Sequence, residues 1–219
     1  MTPGATILGA GGHARVVYDA ALAAGVAIAG FVDNAVPAGT LVLDQGRVLG
    51  TDDWLAASAD GVWVLYNGLG ANSDIARRQA LYERWASRGA VFPPLIHPSA
   101  VIGRECVLDS GVQVMAGVVL QPRVRIASNA VVNTRASIDH DVTIGPHAFI
   151  APGVVVCGGV TVGAGAFVGA GAVLVPRVVI GAGAVVGAGT VVRHAVPDGA
   201  RFVGAPGAVA RDVDGADGV

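Results

Sequence analysis

The sequence predicts two unlike halves: an α/β module amounting to half of a Rossmann unit, and after it a parallel β-solenoid. The first observation is an aliphatic residue at every sixth position without exception, as Ile96, Ile102, Leu108, Val114, Leu120, Ile126, Val132, Ile138, Ile144 and onward to Val192. The second is a column of small or β-branched residues four places after each of these (Ala100, Cys106, Val112, Val118, Val124, Ala130, Ala136, Val142, then to Thr190 and Val196). The third is a non-repetitive opening with a short apolar run, a Gly-x-Gly turn and a helical segment. Two inward positions in six match neither the helical period nor strand alternation. A chain that turns a corner after each hexad satisfies both columns, with three hexads to a triangular coil and stacked coils sharing one narrow core. Gly, Asn or Asp often follows the aliphatic (Gly103, Asp109, Asn133, Asp139, Gly145, Gly163, Gly169, Gly181, Gly187), so left-handed backbone is expected there.

The hexads begin near Leu95, which divides the chain into residues 1–94, a solenoid over 95–197 and a cap and tail over 198–219. In the first module Ala5 to Leu8 reads as a strand, Gly9-Ala10-Gly11-Gly12-His13-Ala14 as a turn, Ala14 to Ala24 as a helix, and Ala27 to Val32 as a second strand ending on Asp33. This is a G-x-G-x-x-A turn with an acidic residue 24 places after its first glycine. Its glycines let backbone N–H groups approach a phosphate at a helix N-terminus, although the same spacing also serves as a plain turn packing a helix on a sheet. Thr51 caps a short helix through Trp54 and Leu55, Gly61 to Tyr66 reads as a third strand, and Asn67-Gly68-Leu69-Gly70 is the loop at its end. Ser73 then caps a helix running to about Arg88. A dinucleotide needs both Rossmann halves. A single half suits one nucleoside diphosphate, with Gly11, Gly12, His13, Asp33 and Gly68 as its expected binding residues.

Composition excludes several classes. The net charge is −2 and every basic residue is arginine, so nothing is built to neutralise a nucleic-acid backbone. Mean hydropathy is +0.62 and no charged residue stands between Asp141 and Arg177, yet Gly or Pro breaks that run every few residues, against a spanning helix of about 20 apolar residues. Met1 to Gly4 shows neither a basic segment nor an apolar signal core, so the expectation is a cytoplasmic protein. The two cysteines fit that compartment, Cys106 as core and Cys157 at a corner, with no disulfide.

Gly-x-Gly-Gly-His at the start, together with a hexad solenoid holding Asn133-Thr134 and Ile138-Asp139-His140-Asp141, resembles the sialic acid O-acetyltransferase family and its relatives, the N-acetyltransferases of nucleotide-linked 4-amino-4,6-dideoxy sugars. The resemblance spans nearly the whole chain and reaches Phe202-Val203-Gly204-Ala205-Pro206, similar to that family's Gly-Val-Pro-Ala cap. It implies a left-handed β-helix, a homotrimer, acetyl-CoA as cosubstrate, no metal, and a nucleotide-linked amino sugar as acceptor. It makes His140 the catalytic base and Asp141 the carboxylate that orients it. The chemistry agrees, because an amine or hydroxyl attacking a thioester must lose a proton, and an imidazole of pKa about 6.5 accepts one at neutral pH.

One coil after His140 stands Gly158, whose N–H can face a thioester carbonyl and stabilise an oxyanion. Coils rich in Gly and Ala follow, and Ala164, Gly165 and Ala182 are expected along a pantetheine arm, with Gly204 and Pro206 where the chain leaves the solenoid. The sequence departs from the family at Phe149, where relatives carry a second histidine against coenzyme A; with Phe149 in that place, either the nearby His147 substitutes for it or that contact is absent. Two other readings stay open: O-acetyl transfer to sialic acid or a similar sugar, and a histidine–zinc solenoid, which would need three converging ligands. Outward Val131, Val155, Val173, Val179 and Val185 suggest apolar faces buried between subunits.

Overall fold

The computed structural model describes residues 4–57, 62–71 and 75–203. Its first domain is a five-stranded sheet in the order β3-β4-β2-β1-β5, from β1 (Ala5–Leu8), β2 (Ile28–Val32), β3 (Leu41–Leu43), β4 (Gly46–Gly50) and β5 (Leu65–Asn67). All neighbours run parallel except β3, which pairs antiparallel with β4 as an edge hairpin. That hairpin goes beyond the three strands expected. All four residues of β1 are buried, as an apolar run at the sheet centre must be. Helix α1 (Gly12–Ala23) buries Ala14, Val17, Tyr18 and Ala21, a helical stripe, and α2 (Asp52–Ala57) is capped by Thr51, whose Oγ1 accepts the Trp54 N–H at 3.2 Å. Helix α3 spans Ala76–Ala86; the cap expected at Ser73 lies outside the described residues.

The solenoid follows as two-residue strands, each paired in parallel with those eighteen residues away, as in Val119↔Ser137↔Val155. They form three faces. Face one runs from Leu95–Ile96 to Arg201–Phe202 with seven strands, face two from Val101–Ile102 to Val191–Val192 with six, and face three from Val107–Leu108 to Val179–Ile180 with five. Both inward columns are sealed from Val112 onward: Val112, Val114, Val118, Val132, Ala136 and Ile138 have no exposed surface. The corner between faces one and two is the first, between two and three the second, and between three and one the third.

Two expectations need correction. Left-handed backbone falls three places after the aliphatic, at Glu105, Arg123, Asn129, Arg135, Asp141, His147 and Arg177 among others, and not directly after it. The glycines directly after the aliphatic are there for space. A Cβ on Gly145 would stand 2.7 Å from Ala164 N, and one on Gly163 2.5 Å from Ala182 N, so a side chain would collide with the next coil. Val131 is also no subunit-facing residue. It is fully buried, as are its outward-pointing neighbours Gln113 and Phe149, because the first domain sits on that part of face one. Face two is the apolar face left open, with Val101, Val155 and Val191 exposed and Val119 and Val173 half-buried in the same ladder.

Candidate active site

The second corner holds His140. Its backbone N–H donates to Asp139 Oδ1 at 2.8 Å, and its Nδ1 lies 2.8 Å from Asp141 Oδ2. Asp141 Oδ1 also faces Arg123 Nε at 3.2 Å. A carboxylate only accepts, so Nδ1 carries the proton and Nε2 is left as the basic nitrogen. The Asp141 hydrogen bond, and then the charge of Asp139, raise the imidazole pKa, while the same bond lowers that of Asp141. Nε2 is turned toward Gly158, where a Cβ would meet Nε2 and Cε1 at 2.8 Å. Among the described residues the Gly158 N–H makes no hydrogen bond. A basic nitrogen and a free backbone donor thus border one cleft of about 470 Å³, closed by Gly159, Pro176 and Arg177. That pairing can deprotonate a nucleophile and stabilise an oxyanion.

The first corner holds a larger cleft, about 600 Å³, between the two domains. Gly11, Gly12, His13, Gly68 and Gly70 line one side, and Asn133, Phe149, Pro152 and Phe167 the other. Helix α1 opens on Gly11 without a side-chain cap, and among the described residues the N–H groups of Gly11, Gly12 and His13 are unpaired. A Cβ at Gly11 or Gly12 would meet nothing within 4 Å, so the open side is toward the cleft. A helix N-terminus with free N–H groups on an open side can accept an anion. Phe149 and Phe167 stack at 5.8 Å between ring centroids as the cleft's apolar floor.

Asp33 faces a separate hollow at the strand ends with Asn34, Asp52 and Arg77. Its carboxylate accepts from the backbone N–H groups of Ala10, Ala35 and Val36 at 2.8 to 3.0 Å, so it braces the glycine turn and keeps little capacity for a ribose hydroxyl.

The third corner holds His147, Ala164, Gly165 and Gly183, with Ile75 and Gln79, around about 410 Å³. The Ala182 N–H there donates to Asp198 Oδ1 at 2.8 Å. Residues six apart stand on successive corners, so Gly158 and Ala164 do not share one. Gly204 and Pro206 lie outside the described residues.

Between the first and third corners runs a buried network that the sequence reading does not contain. Arg78 has no exposed surface and donates from Nη1 to the carbonyls of Asn67 (3.1 Å) and Leu69 (2.6 Å), and from Nη2 to that of Asn129 (3.4 Å). Burial pulls its pKa down to about 9, and no carboxylate offsets its charge among the described residues. Asn67 Nδ2 donates to Asn129 Oδ1 at 3.1 Å, and Asn129 Nδ2 faces His147 Nδ1 at 2.9 Å. His147 is thereby tied to the first domain. Burial lowers its pKa, against the raising effect of Glu83.

Comparisons with known proteins match this arrangement. The PglD N-terminal domain profile covers residues 5–84, and the bacterial transferase hexapeptide profile covers residues 99–134 and 159–194. PerB from Caulobacter crescentus, solved with CoA and GDP-perosamine, is 36% identical over 94% of this chain and 96% of its own, with a TM-score of 0.85. The chain belongs to the bacterial sugar acetyltransferases of the hexapeptide-repeat superfamily. The acetyltransferase domain of PglB from Neisseria gonorrhoeae, solved with acetyl coenzyme A, is 28% identical over 93% of this chain and 97% of its own (TM-score 0.85). WeeI from Acinetobacter baumannii, 24% identical over 91% and 96%, shares the fold (TM-score 0.81). As in the other hexapeptide-repeat sugar acetyltransferases, the solenoid is a left-handed β-helix. Among the described residues no three His, Cys, Asp or Glu form a group that could hold a metal, and no helix is long and apolar enough to cross a membrane.

Proposed function

We propose that this acetyltransferase moves the acetyl group of acetyl-CoA directly to the 4-amino group of a nucleotide-linked 4-amino-4,6-dideoxy sugar, at a site shared between neighbouring protomers of a homotrimer. The observation that carries this reading is the separation of the two clefts. The phosphate-ready turn opens on the first corner and the His140–Gly158 pair on the second, at opposite edges of face two. Face two is also the open valine face. Three prisms packed with that face toward a threefold axis cover its valines and bring the first corner of each protomer against the second corner of the next. The clefts then join.

In this arrangement the diphosphate lies on Gly11 and Gly12, and the sugar reaches across the Phe149 and Phe167 floor to the neighbour's His140. The acetyl donor runs along the neighbour's Gly158 corner, with its thioester oxygen toward the Gly158 N–H. Ala164, Gly165, Ala182 and His147 stand on the outer corner, away from that path. The amine nitrogen attacks the thioester carbon as His140 Nε2 takes its proton, and collapse of the oxyanion expels the CoA thiolate, which is protonated in turn. PerB's complex with GDP-perosamine supports the acceptor class.

The test is mass spectrometry of GDP-, UDP- and dTDP-linked 4-amino sugars, and of free and CMP-linked sialic acid, after incubation with acetyl-CoA. The expected product is one amide-linked acetyl group on a nucleotide-linked amino sugar. Acetylation of a sialic acid hydroxyl alone would overturn the reading.

A further inference from the structure

The second corner stacks its residues in columns, because places eighteen apart stand one above the other at the spacing of paired strands, about 4.8 Å. One column reads Glu105, Arg123, Asp141, Gly159 and Arg177, all in left-handed backbone, so side chains there leave the corner in one direction. The coil below His140 thus presents a guanidinium to the carboxylate beside the base. Asp141 is tied to that coil twice: its N–H donates to the carbonyl of Pro122 at 3.2 Å, and its Oδ1 pairs with Arg123 Nε at 3.2 Å. Its other oxygen, Oδ2, lies 2.8 Å from His140 Nδ1. Each carboxylate oxygen has one partner, and the partners stand on different coils. Both side chains are solvated, Arg123 at 67% and Asp141 at 42% of their surface, so the pair adds little to stability. What it fixes is direction. The terminal torsion of an aspartate is broad, and a carboxylate held by one oxygen turns about it. With Oδ1 held by Arg123, Oδ2 stays on Nδ1 and the imidazole keeps Nε2 toward Gly158.

The groups around His140 give the same cation a second task. Asp139 and Asp141 stand beside the ring on its own coil, Arg123 on the coil below, and Arg177 closes the cleft from two coils above. Two carboxylates favour the imidazolium, which cannot accept a proton, and the charge of Arg123 opposes them. We propose that Arg123 is a positioning residue for acetyl transfer: it fixes the Asp141 carboxylate on His140 Nδ1 and offsets the two carboxylates beside the ring. This rests on the reading of His140 as the base.

Two readouts test it: the His140 titration, followed by NMR of protein labelled at histidine with His140→Asn for assignment, and kcat on the high-pH plateau. Arg123→Gln should raise the His140 midpoint, because the cation that opposed the imidazolium is gone. It should also lower kcat about five- to tenfold, short of the roughly 10² or more that a lost base costs. KM for both substrates should stay within about twofold, as for a loss confined to the chemical step. Arg123→Lys keeps the charge but not the flat Nε–H edge, so it should restore the midpoint and only part of kcat. Arg125→Gln removes a neighbouring exposed arginine on face three and should change neither. In the Asp141→Asn background Arg123→Gln should cost kcat less than it does alone, as for residues that act through one another. An unmoved midpoint or an unchanged kcat in Arg123→Gln, equal effects from Arg125→Gln, or an undiminished loss in the Asp141→Asn background would each overturn the assignment. His140→Asn that keeps the wild-type kcat would overturn the reading of His140 as the base and the proposal with it. That result differs from an inactive His140→Asn beside a silent Arg123→Gln, which sinks the role of Arg123 alone.

Discussion

Replacing His140 with Asn is expected to lower kcat by roughly 10² to 10⁴, the usual worth of a positioned general base, with little change in the affinity for either substrate. Asn keeps the polarity of the corner but has no basic nitrogen. The pH profile gives the sharper reading. The working form is the neutral imidazole, and the Asp141 hydrogen bond and the Asp139 charge raise its pKa above 6.5. The rate should therefore fall as pH drops through a value above 6.5, higher than an unperturbed histidine would give. Protonation of the amine substrate acts in the same direction, so the limb that survives in His140→Asn belongs to the substrate. Asp141→Asn removes the largest cause of the upward shift, so its acid limb should move to lower pH, with a smaller loss of kcat than His140→Asn. If His140→Asn keeps kcat within threefold and the wild-type profile, His140 is not the base.

Arg78→Ala is expected to lower stability by about 2–5 kcal/mol, the cost of orphaned buried acceptors, measured by urea denaturation at fixed protein concentration. Three carbonyls, of Asn67, Leu69 and Asn129, take their hydrogen bonds from this one buried guanidinium, and they come from the β5 loop of the first domain and from a solenoid corner. The substitution leaves the Leu69 and Asn129 carbonyls without these donors and the Asn67 carbonyl with Gln113 Nε2 alone. It also removes the charge that helps hold His13 neutral, so the His13 pKa should rise from about 4. A loss under about 1 kcal/mol would mean that water replaces the guanidinium at little cost.

The hexad ladder is legible because both inward columns repeat with the coil, and each coil confirms the one before it. His140 is legible for a local reason: carboxylates flank it, and the residue one coil on is Gly158. The Arg78 network is not legible in this way. Its members are single polar residues, the links that join the first domain to the solenoid connect residues 46 to 62 apart, and no local pattern marks an asparagine as the hub. The left-handed positions mislead for another reason, since glycine serves both backbone conformation and clearance between coils, and the space between coils exists only in three dimensions. The burial of Val131 follows from where the first domain rests, which strand alternation does not encode. Corner assignment, by contrast, is recoverable from the register: the offset from Gly158 to Ala164 is six and not eighteen, so they occupy different corners. The β3–β4 hairpin also leaves a trace, as two short apolar runs around Asp44-Gln45-Gly46, with Asp44 at φ +44°.

Whether one catalytic site is built from two protomers is decided by subunit complementation. Gly12→Val blocks the phosphate turn at a position where a Cβ meets nothing within 4 Å, and His140→Asn removes the base. Each variant alone should be nearly inactive. Co-expressed with different tags and purified through both, mixed trimers place an intact turn of one chain against the intact His140 of its neighbour. Mixed trimers are expected to show acetyltransferase activity well above the sum of the two separate variants, and activity no higher than that sum would contradict a site shared between protomers.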